Sequence, residues 1–140
     1  MAANIDPIFS KVGAIGFPGT NPLTAAANDF TGVGANNILV FTADATNGSF
    51  IQRLRITAAG TNVASVLRIF INNGSTNGTA ANNVCYGQIS LPATTASATS
   101  ALVELDYPLN LALPASYRIY VGLGTAVSAG WIISAIAGNY

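Results

Sequence analysis

The sequence contains no histidine, one cysteine and very few charges. Without histidine it lacks the side chain that titrates nearest neutrality and the commonest nitrogen ligand for metals. Cys85 alone cannot form an internal disulfide, so the fold is not one stapled by oxidation. In Val84-Cys85-Tyr86-Gly87 it reads as a small buried residue, because a nucleophilic thiol needs a histidine beside it. Charged residues make up 7% of the 140, where a typical domain carries about 25%. Five basic and five acidic side chains cancel to a net charge of zero. That balance excludes a nucleic-acid partner, which is held by a basic surplus. An apolar content of 51% excludes a charge-rich disordered chain. Long apolar runs are missing too. The stretch 129–137 is interrupted by Gly130 and Ser134 and is about half of the roughly 20 residues a spanning helix needs, so no membrane partner is expected. The opening residues show neither a basic n-region nor an apolar h-region, so no secretory signal is expected.

What is present is small. Alanine (24), glycine (14), asparagine (14), threonine (13) and serine (10) account for more than half of the chain. Residues 1–35 hold three prolines and five glycines and keep no period of 2 or 3.6. They read as an extended N-terminal arm whose anchors include Ile8, Phe9, Ile15 and Phe17. From residue 36 the chain reads as strands. Residues 38–42 form a β-branched and aromatic run, followed by Asn47-Gly48, a hairpin signal. Residues 49–57 alternate, with Phe50, Gln52, Leu54 and Ile56 expected to face the core and Ile51, Arg53, Arg55 and Thr57 the water. Further strands are expected over 63–72, 84–91, 101–107, 109–113, 116–123 and 129–137. Asn47, Asn73 and Asn77 each begin an Asn-Gly-Ser/Thr triplet, which reads as a turn before it reads as a glycosylation site. Short strands, even spacing and no amphipathic helix predict an all-β fold. The expected architecture is an antiparallel β-sandwich, jelly-roll-like, of about seven or eight strands over 36–140, with the arm 1–35 outside it.

Few residues offer chemistry. Glu104 and Asp106 lie two apart on one predicted strand and share a face, as a cation site or a glycosidase pair would require. Arg53 and Arg55 show the same spacing on another strand, and Arg118 sits on a third. Cross-strand pairing of these arginines with the two carboxylates is the better explanation. No nucleophile elbow, phosphate loop, dinucleotide glycine set or Cys/His metal spacing occurs, so neither an enzyme nor a cofactor is expected. Tyr86, Tyr107, Tyr117, Tyr120 and Trp131 offer an alternative, a sugar-stacking platform in a carbohydrate-binding module. The scarcity of charge points elsewhere. A monomer is kept soluble by interspersed charges, whereas a surface of Ala, Ser, Thr, Asn and Gly packs flatly on copies of itself. A homo-oligomeric or lattice structural protein is the expectation.

The run 47–74, with Phe50-Ile51-Gln52-Arg53-Leu54-Arg55-Ile56-Thr57 and Leu67-Arg68-Ile69-Phe70-Ile71-Asn72-Asn73-Gly74 inside it, resembles a recurrent stretch in small structural proteins of tailed bacteriophages. Tyr107-Pro108-Leu109-Asn110-Leu111, Tyr117-Arg118-Ile119-Tyr120-Val121-Gly122-Leu123-Gly124 and the apolar end through Trp131 are similar too, so the likeness spans about residues 30–140. It rests on framework strands and not on a chemical signature. The resemblance implies a virion component assembled in the host cytoplasm, with a head decoration or cement protein as the leading role, a major capsid protein as partner and a trimer as the favoured oligomer. A tail or baseplate component is the alternative within the same particle.

Overall fold

The computed structural model describes residues 10–140. It contains eight strands: β1 (Val12–Gly16), β2 (Ile38–Thr42), β3 (Ser49–Ala58), β4 (Ser65–Asn72), β5 (Asn83–Leu91), β6 (Glu104–Leu113), β7 (Arg118–Leu123) and β8 (Trp131–Asn139). They form two four-stranded antiparallel sheets in the orders β1-β8-β3-β6 and β2-β7-β4-β5. Only the β4–β5 connection stays within one sheet; every other one crosses to the opposite layer. This alternation is the jelly-roll form of a β-sandwich.

The core lies between the layers. Ile51, Leu54, Ile56, Trp131, Ile133 and Ala135 from the first sheet meet Leu67, Ile69, Ile119, Val121 and Leu123 from the second, and all are fully buried. Truncating one such Leu or Ile to Ala costs about 2–5 kcal/mol, a large share of a domain's stability of about 5–15 kcal/mol.

Four expectations are corrected. The alternation along β3 changes phase. Its register slips between Ile51 and Arg53 against both neighbours, so Ile51 and Leu54, three apart, are both buried while Phe50 faces outward. Asn47-Gly48 does not close a hairpin, because β2 and β3 lie in different sheets. The type I′ turn that Asn-Gly favours needs positive φ at both central residues, and here Gly48 has it (77°) and Asn47 does not. The strands expected over 101–107 and 109–113 are one, β6, running through Pro108. A sheet edge tolerates proline because one side of the strand lacks a partner to bond.

The fourth correction concerns the arm. Residues 10–35 are not separate from the sandwich. Val12–Gly16 pairs with β8, from Val12 opposite Asn139 to Gly16 opposite Ala135. Leu23 is 2% exposed and exchanges backbone hydrogen bonds with Trp131 at 2.8 and 3.0 Å. Beyond Leu23 the chain becomes a strap over the outer face of the second sheet. Ala27 and Asn28 donate their N–H groups to the Leu123 carbonyl on β7. Phe30 lies over the Arg68 guanidinium on β4, 3.8 Å from ring centroid to carbon, and Asn83 on β5 donates to the Thr31 carbonyl at 3.2 Å. Phe30 and Asn28 of the strap explain why Arg68, on the outer side of β4, is only 8% exposed.

Candidate interaction surface

The β3–β6 register decides where the charged residues meet. Thr57 is opposite Glu104, Arg55 opposite Asp106 and Arg53 opposite Pro108, all on the outer face of the first sheet. Arg55 therefore bridges both carboxylates, through Nη2 to Glu104 Oε2 and through Nη1 to Asp106 Oδ2 at 3.3 Å. Arg53 Nε lies 3.4 Å from Asp106 Oδ1 without forming a hydrogen bond to it. Each of these side chains is more than a third exposed, so each pair is worth about 0–1 kcal/mol. The cluster is a neutral quartet whose carboxylates are occupied by guanidinium groups. Arg118 does not join it. It sits on β7 in the other sheet and donates from Nη1 to the Ser75 carbonyl at 3.2 Å.

The aromatic residues do not gather into a platform. Trp131 is fully buried in the core. Tyr107 reaches beneath Gly87, where a Cβ would collide with its hydroxyl. Tyr86 is 42% exposed on β5, while Tyr120 points from β7 toward the strap side. Two concavities, one between Leu23 and Asn36 and one between Asn73 and Tyr117, hold about 140 and 190 Å³, against about 300–1,000 Å³ for small-molecule sites. Among the described residues no three His, Cys, Asp or Glu side chains come together as metal ligands, and no helix is long and apolar enough to cross a membrane.

Of the four arm anchors, Ile8 and Phe9 lie outside the described residues. Ile15 and Phe17 are each 68% exposed, and Val12 is 62% exposed. All three belong to β1 or its immediate continuation, the outermost strand of the first sheet. Ile15 stands opposite Ile136, and Ile132 is 42% exposed further along β8. The β1–β8 end of the first sheet's outer face is apolar, while its β3–β6 end carries the charged quartet.

Sequence reasoning overlooked Asp29, the hub of the strap. Its Oδ1 accepts from the Thr31 backbone N–H (2.8 Å) and hydroxyl (2.7 Å), and its Oδ2 accepts from the Gly34 N–H and the Asn37 amide, both at 2.8 Å. Burial pushes the carboxyl upward, but the bonds from Thr31, Gly34 and Asn37 outweigh it and hold the group well below the usual carboxylate range. The signal was Asp29-Phe30-Thr31, an Asx turn by spacing. Asp44 does the same at the β2–β3 corner, where the Asn47 and Thr46 N–H groups lower its pKa.

Compared with protein-family models, curated proteins and solved structures, the chain matches none.

Proposed function

We propose that this chain is a structural protein of a phage particle, a decoration or cement subunit that binds across junctions of the major capsid protein and associates with copies of itself. The carrying observation is the exposed apolar edge at Val12, Ile15 and Phe17 on a sandwich with almost no free surface charge. Burying one such side chain contributes about 1.5–3 kcal/mol. A few per subunit give modest affinity, and repetition over a lattice turns that into avidity. The jelly-roll fold is compatible with the role but does not choose it, since the same architecture serves capsid proteins, lectins and cupins. The role is mechanical. The carboxylates a hydrolase would use are held by Arg53 and Arg55, which favours register over catalysis. Three-fold association is what the phage resemblance implies.

Two measurements test the reading. Light scattering should give an oligomer at micromolar concentration, and a stable monomer would count against self-association. The protein should co-sediment saturably with heads that lack it, and Ile15→Asp with Phe17→Asp should weaken binding at least tenfold while the fold persists. Binding to isolated tails instead of heads would move the assignment to a tail component.

A further inference from the structure

Asn47, Asn73 and Asn77 each precede a glycine, the neighbour beside which asparagine is chemically least durable. The glycine nitrogen can attack the asparagine side-chain carbon, because no Cβ on the second residue crowds the approach. The attack needs the nitrogen turned toward Cγ at close range. A fold prevents this when it holds the glycine N–H on another acceptor, pins the glycine backbone or ties down the asparagine amide. The three pairs differ in all of these respects.

Asn73 is held at every point. The Gly74 N–H donates to Oδ1 of the fully buried Asn72 at 2.9 Å. Asn73 Oδ1 accepts from the Ser75 N–H at 3.1 Å, and its Nδ2 donates to Asn82 Oδ1 at 3.3 Å. Gly74 has a φ of 91° and backs onto the Ser116 carbonyl. Asn47 is held through its backbone. Its N–H donates to Asp44 Oδ1 at 2.8 Å, and the Gly48 N–H donates to the Asp44 carbonyl at 3.2 Å. Gly48 is buried and pressed against the Leu113 carbonyl. Asn77 is the least restrained. Gly78 is exposed, lies outside the positive-φ region and has open space around it. Its N–H reaches only the exposed Thr76 hydroxyl, at 3.3 Å. The Asn77 amide lies 3.5 Å from the Gly32 carbonyl, too long for a firm hydrogen bond.

We propose that Asn77 is a site of spontaneous covalent modification, where the chain's own backbone converts asparagine to aspartate and isoaspartate. A solvent base takes the Gly78 amide proton, and the nitrogen attacks Asn77 Cγ. The new N–Cγ bond closes a five-membered succinimide, the Cγ–Nδ2 bond breaks, and ammonia leaves with a proton from water. Water then adds to one ring carbonyl and breaks its bond to the ring nitrogen. Opening at Cγ gives aspartate. Opening at the main-chain carbon gives isoaspartate, whose backbone runs through Cβ and Cγ. The net change is water for ammonia, with no oxidation.

The position of Asn77 gives the change a consequence. Its main-chain carbonyl accepts from Asn83 Nδ2 at 2.8 Å, and the same amide donates to the Thr31 carbonyl at 3.2 Å. The β4–β5 loop and the strap are joined there. Either product sets a carboxylate, which only accepts, against the Gly32 carbonyl in place of an amide donor. Isoaspartate also lengthens the main chain and shifts the carbonyl that Asn83 holds. The strap loosens at Thr31 and Gly32, and a chain of zero net charge becomes negative. The change is independent of any role in a particle.

The test incubates the full-length protein at mildly alkaline pH and maps its peptides by mass spectrometry that separates isoaspartate from aspartate. Asn77 should convert several-fold faster than Asn47, and Asn73 should be slowest. In urea, where the restraints are gone, all three should convert at similar rates. Asn47 or Asn73 converting as fast as Asn77 in the folded chain would overturn the proposal, and so would an Asn77 that stays intact while the unfolded chain reacts. Asn77→Asp supplies the charge of one product at once. Amide exchange at Thr31 and Gly34 should then rise several-fold with the β3 amides unchanged, and unchanged exchange at Thr31 and Gly34 would overturn the link to the strap.

Discussion

At Asp29 one carboxylate receives four donors from residues 31, 34 and 37. A hydrogen bond to a charged group contributes about 1.5–3 kcal/mol, less where water competes. Asp29→Ala should therefore cost about 1–3 kcal/mol and loosen the strap before the rest of the sandwich, read as faster amide exchange at Gly34 and Asn37. The pH dependence follows from the direction of the shift. Asp29 titrates lower in the folded chain than its ordinary 3.8, so its contribution is complete above that value and is lost as pH falls below it toward the folded pKa. Thermal melts from pH 7 to pH 2 should show stability falling below about pH 4, with a smaller fall in Asp29→Asn. An identical acid limb in that variant would show that other groups carry the effect. Phe30→Ala removes the ring over Arg68, with an expected loss of about 0.5–2 kcal/mol, because it also uncovers a nearly buried guanidinium.

Elements were legible where their pattern was their own. Ile38–Thr42 and Arg118–Leu123 are rich in β-branched and aromatic residues, and that composition alone marks them as strands. Val12–Gly16 was illegible, because two glycines in five residues erase the alternation and the strand exists through its pairing with β8. The face of Phe50 was misassigned for a related reason. A bulge is set by the register of two partner strands, and no local property of Ile51-Gln52-Arg53 announces it. The charge quartet was half legible: two-residue spacing put each pair on one face, but only the register could bring Arg55 to both carboxylates and leave Arg118 on the other sheet. Placing Leu23 in the core also changes what truncation should do. Deleting residues 1–30 removes an edge strand and a buried leucine, and the expected outcome is an unfolded chain by circular dichroism. A folded, cooperative product would contradict the pairing of β1 with β8.

On the scale of the molecule, charge is too scarce to set stability. Glu104→Gln with Asp106→Asn breaks the quartet and should cost no more than about 1 kcal/mol, a loss that shrinks further at high salt. Chemical denaturation of the pair variant checks this, and a loss above about 3 kcal/mol would mean that the quartet is more than a surface register device. What distinguishes the molecule is the contrast between a strapped second sheet and an apolar β1 edge on a nearly uncharged surface. A subunit of that kind is suited to binding where many copies are held in place by a lattice. The most direct test is a side-chain-resolution cryo-electron reconstruction of phage heads carrying this protein, the particle in which the proposed role would place it. The expected result is a sandwich of strand order β1-β8-β3-β6 over β2-β7-β4-β5 on the outside of the head, with Ile15 and Phe17 buried against capsid protein or a second copy. A head surface without this sandwich, or the sandwich found with Ile15 and Phe17 facing open solvent, would contradict the role proposed for it.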